Sequence, residues 1–380
     1  MNIIIKLIYK ALSKFIKYNF MDFEEEKKYL IFNKSYTYND IDISQIGEDE
    51  RKNFDFIKSW NDDTYLLHYT KTCYIDPTYG WIITKNNKIL YHSVPSSYRH
   101  IIYNSEYGQT DKPDKILFLR KKKKIEIYDK IISLNELCGS FGKNYFFLWD
   151  ALFGELALLK NNDININAMP ILIPKSIAEC SFFKETIKLS PIFNNIKFIY
   201  RDKNFIQCNE VYQCKVIHYR NTYLNTVLSW FSHIKPSKHT TKKIYLKRDE
   251  KSSRHIENNN EIEMIAQKYG FEIIDNNKLT VEEQIKLYRQ VEYLIAIHGA
   301  GNINIIFRYP NNLSMLEIHT STKIPASYAI LSNQLGFKYD AVIGSELKGE
   351  TNNNWANKSY FYLDPQKFEH KLKKILKITI

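Results

Sequence analysis

The chain has 380 residues, enough for two domains of ordinary size. Its 44% hydrophobic and 25% charged residues exclude a collagen-like, disulfide-framework or wholly disordered chain. Lys and Arg exceed Asp and Glu by 54 − 42 = +12, which favours anionic partners: nucleic acid, a membrane surface or phosphate-bearing ligands. The excess of Ile, Lys, Asn and Tyr typical of AT-rich coding explains the same surplus, so charge alone selects no function.

Residues 1–20, MNIIIKLIYKALSKFIKYNF, carry Lys6, Lys10, Lys14 and Lys17 at helical spacing, opposite Ile4, Leu7, Ile8, Leu12 and Phe15. Lysine recurs too often for a membrane-spanning helix or a signal peptide. A basic amphipathic helix on an anionic membrane surface fits, as does a helix docked on its own protein. Both fit a cytoplasmic chain, membrane-peripheral in the first case. In residues 21–110, strands are expected at Trp81–Thr84 and Ile89–His92, joined by a turn at Lys85–Lys88. Asp40-Ile41-Asp42 is a DxD string, but no apolar strand precedes it, and it reads as a turn or helix cap. The five cysteines are scattered without a CxxC and read as reduced thiols.

From residue 115 strands and helices alternate. Strands are expected at Ile116–Leu119, Pro170–Pro174, Ile196–Tyr200 and 203–216. Helices are expected at Tyr145–Leu159, Ser176–Leu189 and Thr222–Phe231. The polar stretch Lys235–Thr241 reads as a domain boundary. Beyond it come strands at Ile244–Leu246, Phe271–Ile274, Tyr293–Ile297, Leu313–Ile318 and Tyr339–Ile343. Helices fall at Asn260–Tyr269, Thr280–Arg289, Asn304–Phe307, Ser327–Leu335 and Pro365–Ile378. Thr280 and Glu283 have capping-box spacing. Such alternation predicts an α/β fold of mostly parallel sheets in two Rossmann-like domains. The divisions are residues 1–20, an amphipathic helix; 21–235, an extension and a first Rossmann-like domain; and 236–380, a second Rossmann-like domain with a C-terminal helix.

Ligands of open α/β sheets bind at strand carboxyl ends. His298-Gly299-Ala300-Gly301 stands at one such end, where small residues bring backbone N–H groups to an anion. Arg248 follows another strand, with Lys251 and Arg254 just beyond. Arginine's planar fork suits a diphosphate. Glu317 is read at the end of the next strand, where a carboxylate can accept from ribose hydroxyls. Gln284 is read as orienting backbone or the loop.

Taken in order, these features resemble glycosyltransferase family 61, whose members include bacterial surface-polysaccharide enzymes, plant xylan-modifying enzymes and animal O-linked N-acetylglucosaminyltransferases. The likeness is carried by YLKRDEKSSRHIENNNEIEMIAQKYGFEII, VEEQIKLYRQVEYLIAIHGAGNINIIF and MLEI. Arg248, Arg254, Asn260, Glu261, Gln284, His298, Gly299, Ala300, Gly301, Asn304 and Glu317 match the pattern in order. Two departures stand out: Asn302 and Ile303 replace the Leu and Thr that usually follow HGAG, and Phe146 falls where an amino-terminal His is expected.

The resemblance implies a GT-B enzyme, two Rossmann-like domains facing a cleft, that transfers a sugar from a nucleotide donor with inversion. UDP is the commonest donor nucleotide in the family, and the acceptor would be a glycan or protein hydroxyl. The nucleotide sugar is a substrate, and neither a cofactor nor a metal is required, because arginines and loop N–H groups can neutralise the diphosphate. Asp150 is the candidate base, Glu155 the second, with His298 also at the reacting centre. Two other readings stand beside this one. A degenerate transferase would bind nucleotide without turnover, as the missing His suggests. A basic binder of nucleic acid or anionic surfaces would use Lys121–Lys124 and the 235–254 cluster, with no sequence-specific nucleic-acid partner.

Overall fold

A computed structural model describes residues 20–77, 80–94, 125–134, 144–202, 204–219, 222–237, 240–248, 254–320, 324–346 and 360–378. The expected amphipathic helix, the strand Ile116–Leu119 and the Lys121–Lys124 run lie outside these residues, apart from Phe20 at the end of the first.

The chain divides into two compact units. The first lies within Met1–Ser35, Asp63–Lys184 and Ile192–Val216. The second lies within Tyr36–Asp62, Glu185–Pro191 and Ile217–Ile380.

A mixed sheet forms the first unit. Its strands are β1 (Leu30–Thr37), β2 (Asn61–Tyr69), β3 (Cys73–Ile75), β4 (Ile82–Thr84), β5 (Ile125–Ser133), β6 (Ile171–Pro174), β7 (Phe198–Arg201) and β8 (Phe205–Lys215). They are ordered β1-β2-β8-β5-β6-β7, with β3 between β8 and β4. Strands β8, β5, β6 and β7 run parallel, whereas β2 and β3 pair antiparallel with β8. Tyr65, Leu67, Ile131, Leu172 and Val211 are buried in its core. Cys73 and Cys208 are register partners, their thiols 3.5 Å apart.

Three local expectations change here. Ile89 makes only isolated bridges, to Phe20 and Ile83, and Tyr91–Ser93 form a 3-10 turn instead of a strand. The buried Glu26 carboxylate takes the backbone N–H groups of Tyr91 (2.6 Å) and His92 (3.0 Å), which a strand partner would otherwise need. The helix expected at Ser176–Leu189 is split at Cys180 into Lys175–Ala178 and Ser181–Lys188. The helical run from Tyr145 contains a π turn at Leu148–Leu152, between the α segments Tyr145–Phe147 and Phe153–Asn161. Asp150 sits inside that wide turn. Single π turns are uncommon and recur at functional sites.

The second unit holds an all-parallel sheet of β9 (Lys242–Leu246), β10 (Glu272–Ile274), β11 (Val291–Ile297), β12 (Ser314–His319) and β13 (Lys338–Ile343), in the order β10-β9-β11-β12-β13. The strands read as short apolar runs because both faces are covered. Helices Asn259–Lys268 and Pro365–Leu376 bury Ile262, Ala266, Phe368 and Leu372 against Tyr245, Ile295, Leu316 and Val342. Gly270, at φ +81°, ends the first of them, a conformation few side chains adopt. The capping box at Thr280 forms as expected, with Glu283 Oε2 accepting from Thr280 N at 2.8 Å and Thr280 Oγ1 accepting from Glu283 N at 3.2 Å.

Residues 36–62 pack within this same unit. Gly47 N donates to Asp340 Oδ1 (2.9 Å), and Lys371 Nζ bridges Glu50 Oε2 (2.6 Å) and Asp340 Oδ1 (3.2 Å). The Asp40–Asp42 string is a turn here, with Asp42 Oδ1 accepting from Ser44 N at 2.8 Å.

Candidate functional site

In chain order the second sheet runs 2-1-3-4-5. The chain therefore reverses direction of growth between β9 and β11, and the carboxyl ends of those two strands diverge into a crevice. Arg248 follows β9 and His298 follows β11. A cleft of about 270 Å³ opens there, lined among others by Arg248, Asn276, Gly299, Ala300, Gly301 and Asn302.

Arg248 Nη1 donates to the His298 carbonyl at 2.9 Å, which ties the two strand ends together. Gly299 permits this approach, because a Cβ there would lie 2.6 Å from Arg248 Nη1. A Cβ on Gly301 would crowd Asn276 Nδ2 at 3.2 Å. Tyr328, buried, donates its hydroxyl to the Gly299 carbonyl at 2.6 Å and fixes the loop from below.

Burial, and then the charge of Arg254, pushes the Arg248 guanidinium down to about 10. Arg254, at φ +66°, is also lowered, chiefly by burial. Its Nε is buried and has no hydrogen-bond partner among the described residues. Arg248 lines the strand-end crevice as a partly desolvated cation, and the charge of Arg254 acts on it. That is an unfavourable arrangement without an anion and a favourable one with it.

His298 is oriented from beneath. Its Nδ1 lies 2.7 Å from Glu317 Oε1, while Tyr339 donates to Glu317 Oε2 at 2.6 Å and His319 Nε2 lies 3.2 Å from the same oxygen. Burial would raise the Glu317 carboxyl, but the charges and hydrogen bonds of His319 and His298 outweigh it and hold it well below the carboxylate range. Burial lowers His298. A carboxylate only accepts, so Nδ1 of His298 carries the proton and Nε2 keeps its lone pair.

This geometry revises the expectation for Glu317. Strand β12 runs on to His319, in register with Ile343 of β13, so Glu317 lies within the strand and is fully buried. Its carboxylate is taken up by His298, Tyr339 and His319, and it holds His298 in place. Among the described residues, His298, Glu317 and His319 are the group able to hold a metal ion, with ligand atoms within 4.8 Å of one another. Those atoms already bond to each other as hydrogen-bond partners.

Gln284 orients the loop, as expected. Its Nε2 donates to the carbonyls of Asn276 and Leu279 (both 3.1 Å), leaving Oε1 to accept from Asn304 Nδ2 at 2.7 Å. Asn304 is buried in the 3-10 helix Ala300–Arg308, which stands where a shorter helix was expected. Asn260 is exposed in the first turn of its helix and does not line the cleft. Asn259 beside it is the buried one, accepting from Tyr245 Oη at 2.9 Å and donating to Glu263 at 2.6 Å. Asp150, half-buried, and Glu155, buried, belong to the helical run of the first unit.

Sequence reasoning missed Asn276, His319, Tyr328 and Tyr339. His319 carried a signal, since it lies two residues from Glu317 and so on the same face of one strand. Among the described residues no helix is long and apolar enough to cross a membrane. No curated relative matches the chain. The family model described as Glycosyltransferase 61 matches residues 74–316, from β3 of the first sheet into β12. Matched over well more than half its length, the chain belongs to glycosyltransferase family 61.

Proposed function

We propose that this glycosyltransferase is a metal-independent GT-B enzyme that moves a sugar, with inversion, from a nucleotide diphosphate, UDP by family resemblance, to a hydroxyl of a glycan or protein. The observation that supports it is Arg248, tied to the His298 carbonyl and lining the crevice beside Gly299–Gly301 at the switch point of a parallel sheet, with the charge of Arg254 acting on it. In one displacement the acceptor oxygen bonds to the anomeric carbon as the bond from that carbon to the diphosphate oxygen breaks. The electron pair leaves on the diphosphate, where the arginines and the Gly299–Gly301 backbone stabilise the added charge. The acceptor proton passes to a base. Asp150 in its π turn is the first candidate, with Glu155 second. The neutral His298, with Nε2 as acceptor, orients a hydroxyl at the donor side.

Titration calorimetry with UDP tests the donor site. Arg248→Ala removes a charge-assisted partner worth about 1.5–3 kcal/mol, roughly ten- to a hundredfold in Kd. Unchanged affinity in a folded variant would take the diphosphate elsewhere. One observation favours a second reading, a transferase that binds nucleotide without turnover: the buried Phe146 stands where a His is expected by resemblance. Sugar transfer above background excludes it.

A further inference from the structure

The Glu317 carboxylate is taken up by its own neighbours, but the crevice has a second carboxylate at its wall. Asp275 directly follows β10 and is the one acidic residue lining the cleft among the described residues. The sheet sets its place. Ile274 is in register with Leu246, and Lys247 N donates to the Ile274 carbonyl at 2.7 Å, so Arg248 and Asp275 leave neighbouring strand ends. Asp275 is half-buried. Its Oδ1 accepts from Asn277 N at 2.9 Å, which holds the carboxylate against the turn Asn276–Lys278. The first two residues of that turn line the cleft as well. Oδ2 has no hydrogen-bond or ion-pair partner among the described residues.

A carboxylate only accepts hydrogen bonds, and it repels a diphosphate. Beside an anion seat it therefore serves a part of the ligand that donates. In doubly wound sheets an acidic residue one βα unit beyond the phosphate-binding turn receives the ribose hydroxyls. Here the helix Asn259–Lys268 and β10 make up that unit, and Asp275 stands at its end. Resting on the donor-site reading above, we propose that Asp275 accepts hydrogen bonds from the ribose hydroxyls of the bound nucleotide. Arg248 and the Gly299–Gly301 backbone then hold the diphosphate, and Asp275 holds the ribose one strand away. The residue selects a nucleoside diphosphate over a bare diphosphate, and a ribonucleotide over its deoxy counterpart.

Calorimetry on the full chain, with inorganic pyrophosphate, UDP and the 2′- and 3′-deoxy analogues of UDP as probes, tests this. Asp275→Asn keeps an oxygen for Asn277 N, so the melting temperature should hold. UDP should bind the variant roughly tenfold more weakly, the scale of one charge-assisted hydrogen bond. Pyrophosphate should bind equally well or more tightly, because a repelling charge is gone. In the unaltered chain at least one deoxy analogue should bind more weakly than UDP. In the variant that penalty should shrink, since hydroxyl and carboxylate are the two ends of the same bond. Unchanged UDP affinity in the variant, an equal loss for pyrophosphate, or a deoxy penalty of the same size in both chains would overturn the proposal. Arg248→Ala reports separately on the donor site, since it must weaken pyrophosphate as well as UDP. If it weakens both while Asp275→Asn weakens neither, the ribose contact alone is refuted.

Discussion

Glu317→Gln probes the support beneath His298 while keeping its shape. The carboxylate accepts from His298 Nδ1 at 2.7 Å and Tyr339 Oη at 2.6 Å, with His319 Nε2 at 3.2 Å. Gln keeps one acceptor and turns an NH₂ group toward groups that donate. One charge-assisted bond is lost, about 1.5–3 kcal/mol, and one buried donor is left unpaired, about 1–3 kcal/mol. The sum, roughly 2.5–6 kcal/mol, brackets the ~3–5 kcal/mol cost of breaking a buried ion pair by removing one partner. The pH dependence has a definite sign. Glu317 is lowered in the folded state, so its stabilisation is present above the unfolded carboxyl range near pH 4.5 and is lost as pH falls below it. His298 is lowered too, so acidification from about pH 6.5 downward also destabilises the fold. Thermal melts from pH 4 to 8 should show a lower midpoint for the variant and a flatter acid limb. Calorimetry with pyrophosphate should show retained binding, since Arg248 is untouched, while turnover falls. An unchanged melting profile together with unchanged turnover would refute the idea that Glu317 organises His298.

Gly299→Ala should imitate Arg248→Ala in pyrophosphate calorimetry at little cost in melting temperature, because the new Cβ would displace Nη1 from 2.6 Å away; normal affinity would show that the guanidinium relocates freely. Asp150→Asn should keep donor affinity and lower kcat by roughly 10²–10⁴-fold if Asp150 is the base. Full activity in that variant moves the search to Glu155, and joint loss of stability and binding assigns Asp150 a structural role. Transfer should survive a strong chelator; an absolute need for a divalent ion would redirect attention to His298, Glu317 and His319.

The strand-end positions of Arg248 and His298 were legible because they sit where simple rules put them. Short apolar runs end at Leu246 and Ile297, and the chemistry follows immediately in Arg248 and His298. The capping box was readable because it is local, four residues long. The burial of Glu317 was not legible: the strand runs one residue further, through His319, because β13 offers it a partner as far as Ile343, and Tyr339, which fills its carboxylate, lies on that neighbouring strand. The π turn around Asp150 was hidden because that helix is apolar on all sides, so no periodicity reports an inserted residue.

The ties that hold residues 36–62 bear on how the second unit is made. Glu50 pairs with Lys371, 321 residues later, and Gly47 with Asp340, 293 residues later. Synthesis delivers the acidic segment first, and its lysine comes from the last described helix. Contacts of such separation form late and slow folding. Until that helix emerges, burying Glu50 and Asp340 means burying carboxylates without their ammonium partner, at several kcal/mol. The second unit is thus closed by helix Pro365–Leu376, none of whose residues lines the cleft. A nascent or truncated chain without that helix would have every residue of the crevice and no completed core to hold them.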